Sequence, residues 1–197
     1  MRRVAYYVLR VRLRVRALRS DQSGVTAIEF GVLALPFFML LFGLISVCLF
    51  FFTTFTFENA VWQASRGIRT GQLQQGSGTY AGLKTNEDRK KAFEKNLCDL
   101  APPFVDCTKI VVQIQSNNAG FSGLTQPACT SGGKMINQSA ASFDTGGASS
   151  VVLITGCYPW EFGARLPFIS LGTNSVLEGA LLIQATVAFR TEPFPTN

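Results

Sequence analysis

The stretch GVTAIEFGVLALPFFMLLFGLISVCLFFFTTFTF, Gly24 to Phe57, decides the fold. It holds one acid, Glu29, and then no charged residue from Phe30 to Phe57. At a rise of about 1.5 Å per residue, a helix of that length exceeds the roughly 30 Å hydrocarbon core of a bilayer. The run therefore reads as one transmembrane helix. Pro36 lies in its first third and is expected to kink it or loosen its first turns, because proline cannot donate to the carbonyl four residues back. Gly31 and Gly43 would admit a neighbouring helix but lack the small-xxx-small spacing. A signal peptide has a shorter apolar core and a small-residue cleavage site, and neither is present. Cys48, mid-run after a valine, does not suit a lipoprotein site.

Charge gives the run a direction. The chain of 197 residues has a net charge of +6, and residues 1–24 hold seven arginines and one acid, which accounts for all of it. The rest is balanced. Basic flanks stay cytoplasmic, so the part after the helix is expected to be exported. Arg66 and Arg69 are too few to compete. Nucleic-acid binding is disfavoured, because the body has no basic surplus to spread over a face.

Catalysis is disfavoured too. There is no histidine, which removes the commonest general base and metal ligand. No G-x-S-x-G or S-x-x-K occurs, and Asp99, Asp106, Asp144, Glu161 and Glu178 are scattered among loops. No enzyme activity, cofactor, metal or small-molecule substrate is expected. Four cysteines follow the helix: Cys98, Cys107, Cys129 and Cys157. In an exported body they suit two disulfides. The preferred pairing is Cys98 with Cys107 and Cys129 with Cys157. Cys98–Cys129 with Cys107–Cys157, and Cys98–Cys157 with Cys107–Cys129, stay open. Cys48 has no partner and is expected to be a small apolar packing residue.

Glu29 needs an explanation. An ionised acid costs about 2.5–3.5 kcal/mol at the centre of a membrane helix and less near an interface. Its ordinary reading is an interfacial acid that reaches the headgroups. The surrounding pattern supports a sharper one. Gly24, four residues, Glu29, Phe30 and a long apolar helix behind a basic leader resemble a type IV prepilin processing site. Ala27, Glu29, Phe30, Ala34, Leu35 and Pro36, then Ala60, Ala64, Arg66, Thr70 and Gly71, narrow the resemblance to the TadE-like pseudopilins of tight-adherence (Flp-type) pilus systems. The tail AFRTEPF, Ala188–Phe194, also resembles that family's endings. Some relatives have tyrosine where this chain has Phe30. The resemblance implies cleavage between Gly24 and Val25 by a prepilin peptidase, and a helix that remains in the bacterial inner membrane. It also implies partnership with other pilins or pseudopilins and with the assembly platform. The new α-amino group on Val25 would then pair with the Glu29 carboxylate of a neighbour, each relieving the other's desolvation.

Beyond the helix, ENAVWQASRGIRTG (58–71) places Ala60, Val61 and Ala64 at helical spacing, and the helix is expected to continue to about Gly71. QLQQGSGTYAG (72–82) reads as a linker. TNEDRKKAFEKNLC (85–98) reads as a helix capped by Thr85 or Asn86, with Ala92, Phe93 and Leu97 as its apolar stripe. Strands are expected over 109–115, 150–158 and 180–190, with long loops over 116–149 and 159–179. The fold class is α+β: a long N-terminal transmembrane helix followed by a small, disulfide-stapled antiparallel-sheet domain, the plan of pilins. The expected organisation is a basic cytoplasmic leader (1–24), the membrane helix and its extension (25–71) and a periplasmic domain (72–197). Function is expected to be that of a minor pseudopilin or assembly protein in pilus biogenesis and adherence. The alternative is a signal-anchored periplasmic binding or adhesin domain outside any filament.

Overall fold

The structure is a computed structural model that describes residues 24–162, 177 and 179–195. The leader before Gly24 and most of the loop over 159–179 lie outside the described residues. The long helix α1 runs from Val25 to Arg69. Pro36 does not interrupt it. A membrane-type helix tolerates the single backbone bond that proline removes. Contacts divide the chain into two compact units, one ending at Leu44 and one beginning at Ile45.

In the first unit, the turns from Val25 to Leu44 present their large apolar side chains outward, with Phe30 70% and Leu40 72% exposed. α1 is the one described helix long and apolar enough to cross a membrane.

The second unit is built on the remaining turns of α1. Phe57, Ala60, Val61, Ala64 and Ile68 are fully buried. Their spacing of three and four residues puts them on one face of the helix. That face meets a three-stranded antiparallel sheet, β1 (Val111–Asn117), β4 (Val151–Trp160) and β5 (Leu181–Arg190), in the order β1-β4-β5. Ile114 stands opposite Ile154, and Ile154 opposite Val187. Because side chains alternate across a strand, Val112, Ile114, Val152, Ile154, Ile183 and Phe189 share the face that packs into this core. Gly156, on the central strand, lets α1 come close: a Cβ there would lie 2.9 Å from Val61 Cγ2.

The opposite face of the sheet is covered by the long loop. Val111 and Cys157 pack with Cys129 and Ala141. The loop is not featureless: it contains a hairpin of β2 (Thr130–Ser131) and β3 (Lys134–Met135). A disulfide joins Cys129 to Cys157, and a second joins Cys98 to Cys107, so the preferred pairing is the one formed. Cys48 is free and exposed on α1, not packed in the body.

After a one-turn helix α2 (Gln72–Gln75), the helix α3 (Asn86–Leu100) begins at Thr85, whose hydroxyl oxygen accepts from the Asp88 N–H at 3.1 Å. Phe93 and Leu97 enter the core, while Glu87–Lys91 and Lys95–Asp99 pair along the solvated face at 2.9 and 2.7 Å. The segment expected as a linker is instead packed. α2 and a 3-10 turn at Gly78–Tyr80 bury Leu73 and Tyr80. The Asn96 amide of α3 donates to Tyr80 Oη at 2.8 Å. Two buried apolar side chains and the Asn96–Tyr80 hydrogen bond hold this Gln/Gly-rich segment against the core.

Candidate functional site

The head of α1 is the candidate site. Gly24 is exposed and forms the last turn before the helix, which starts at Val25. A Cβ at Gly24 would meet nothing within 4 Å, so glycine is not required there by packing. Val25 and Glu29 are four residues apart and so share a helix face. Glu29 and Phe30 are both exposed, and among the described residues Glu29 has no ion-pair partner. The site thus presents one carboxylate on an otherwise uncharged, outward-facing apolar surface. Along the same helix Pro36 is exposed, Gly43 is half-buried, and Phe57 is buried in the core of the second unit beside Tyr158.

The second half of the motif has a different role. Ala60 and Ala64 are buried spacers that let the sheet approach, while Arg66 is exposed and lines a shallow polar pocket of about 220 Å³ with Gln63, Thr70, Gln72 and Asn96. Burial raises the Tyr80 phenol in that pocket above its ordinary value, and the Asn96 hydrogen bond acts in the opposite direction.

Thr70 and Gly71 end α1. Gly71 has φ +74°, a left-handed conformation that favours glycine, and an added Cβ would collide with the Phe194 ring. The Glu192 N–H donates to the Arg69 carbonyl at 2.8 Å. The T-G element and the AFRTEPF tail, remote in sequence, are therefore one contact. No local pattern in the residues connects the two elements.

A long apolar helix with a lone acid near its head leads into a small α+β body with two disulfides, the plan of a protein with an N-terminal helical anchor, and among the described residues α1 is the one helix with the length and hydropathy for that part. Residues 24–66 match the family model described as TadE-like protein, the family that the Gly24–Glu29 and Ala60–Arg66 elements resemble. No curated protein and no solved structure gives a significant match to the chain.

Proposed function

We propose that this chain is a minor pseudopilin of a tight-adherence pilus or a related secretion apparatus, and that it acts by assembly and not by catalysis. The observation that carries the reading is the exposed Glu29 carboxylate, five residues after an exposed glycine, on the outward face of an apolar helix. The TadE-like match over the same residues supports it. In this reading the leader faces the cytoplasm and a prepilin peptidase cuts between Gly24 and Val25. The body, with its two disulfides, then lies in the oxidising periplasm.

Cleavage leaves an α-amino group on Val25, close to an unpaired acid. In lipid a lone charge is costly. A second subunit, shifted along the helix axis, brings its own Val25 amine to the first subunit's Glu29 and neutralises it. The pair forms only at the correct stagger, so it selects register more than it adds stability. The partners are then other pilins or pseudopilins and the inner-membrane platform that stacks them.

Intact mass and N-terminal sequence of the protein from its native membranes test this. The expected chain starts at Val25. A chain that keeps the leader in the presence of the peptidase overturns processing and leaves a signal-anchored binding or adhesin domain. A Glu29→Gln variant, otherwise folded, is expected to be cleaved and inserted and to fail in assembly.

A further inference from the structure

A second apolar surface lies on the body. Phe104, in the loop after α3, and Phe162, just after β4, are 54% and 49% exposed. They flank α1 where it emerges from its uncharged run. The Phe52 and Phe104 rings are 6.1 Å apart, and Trp160 stacks obliquely at 5.8 Å from Phe162 and edge-on at 5.4 Å from Phe50. Between them lies an open apolar pocket of about 310 Å³, lined by Leu49, Thr53, Phe104, Trp160 and Phe162.

The position of this cluster along α1 identifies its occupant. A helix crosses the hydrocarbon core in about 20 residues. Counted from Phe30, the first residue after the last charge, that reaches Leu49. The uncharged run continues to Phe57 and the next acid is Glu58. The turns that carry Phe50, Phe52 and Thr53 therefore fall in the headgroup region, where aromatic side chains concentrate. Within the same unit the neighbouring α1 side chains Phe51, Phe52 and Phe55 are exposed beside the cluster. Just outside it, Lys109 and Glu161 pair at 2.6 Å, and Glu161 holds the Lys109 ammonium pKa above its ordinary value. Such a charged rim suits headgroups and stops the cluster from sinking into the hydrocarbon.

We infer that the Phe104–Trp160–Phe162 end of the body is a membrane-contact surface, resting in the outer headgroup layer of the bilayer that anchors α1. The inference rests on the anchoring role of α1. It adds a second attachment, so that before assembly the body is held against the membrane by its own aromatic loops.

Tryptophan reporters test it in the full chain, purified and reconstituted at low density in phosphatidylethanolamine–phosphatidylglycerol vesicles. In a Trp62→Phe, Trp160→Phe background, single reporters are placed by Phe104→Trp, Phe162→Trp, Leu33→Trp and Phe121→Trp. Phe121 follows the end of β1 where Asn117 pairs with Val151, the far end of β4 from Trp160, roughly 30 Å away at ~3.4 Å per residue. Lipids brominated at shallow acyl carbons are expected to quench the reporters at 104 and 162 about twofold, to quench that at 33 strongly, and to leave that at 121 unchanged. Reporters at 104 and 162 that behave like the one at 121, open to aqueous acrylamide and blind to bromine, overturn the inference and leave anchoring intact. Shielding from both quenchers assigns the surface to a protein contact and overturns it equally. A reporter at 33 that is not quenched overturns anchoring itself, and this inference with it. The Phe104→Trp change in a chain that keeps Trp160, read against its own parent, gives the same comparison without altering the core aromatic.

Discussion

Between Val25 and Leu44 the large side chains of α1 face outward; between Ile45 and Arg69 a stripe of the same helix is sealed inside a protein core. Both stretches are rich in phenylalanine and aliphatic residues, and both are helical. Their stability has different sources. The outward turns hold helical geometry through internal backbone bonds and suit an apolar surrounding. The inward turns gain by burial against β1, β4, β5 and α3. A long apolar helix can therefore be an anchor at one end and the spine of a soluble domain at the other, and composition does not mark the change.

Substitutions break or sharpen that contrast. Phe57→Ala deletes a fully buried ring and is expected to cost the body about 3–5 kcal/mol. Phe38→Ala on the outward half is expected to change it by less than about 0.5 kcal/mol. Urea unfolding of the detergent-solubilised chain, followed by near-ultraviolet circular dichroism, measures both. Equal losses would mean that the outward half also carries the body.

The staples come next. Replacing Cys129 and Cys157 together by alanine is expected to cost about 2–4 kcal/mol. The Cys98–Cys107 pair closes a separation of 9 residues, against 28 for the other, and in the chain-entropy picture is worth about 1 kcal/mol less. Midpoints of the two double variants give the order. Loss of α1 helicity on reduction would contradict the independence of the outward half. Among substitutions within the body the smallest loss is that of Thr85→Ala, which removes the α3 cap and is expected to cost about 1 kcal/mol. Its signature is faster amide exchange confined to the first turn of α3.

Much of this was legible in the residues. β-branched runs marked β1, β4 and β5. Thr85 or Asn86, followed by Glu87 and Asp88, marked the start of α3, and Thr85 is the residue that caps it. The Gly24–Glu29 spacing marked the candidate site, to which the structure adds exposure and an unpaired carboxylate. Other features carried no local signal. Leu73 and Tyr80 are single apolar residues in a polar setting, so no periodicity announced that residues 72–80 pack. The fate of Phe57 was hidden because a side chain that leaves water looks the same whether it enters lipid or a core. The β2–β3 hairpin is too short for strand patterning, and the docking of Phe194 on Gly71 is a tertiary contact across most of the body.

That last contact has a consequence for biogenesis. The stripe from Phe57 to Ile68 is synthesised early, but the strand that completes its cover, β5, and the Glu192–Phe194 segment that closes the end of the helix are made more than a hundred residues later. Throughout that interval the stripe has no native partner from β5, and sequence-distant pairings of this kind form slowly. A chain still being made carries an apolar, half-covered stripe until its last strand arrives. Factors that shield apolar surface during synthesis would therefore set its yield, and a truncation before β5 is expected to be degraded even though α1, Glu29 and all four paired cysteines are already made.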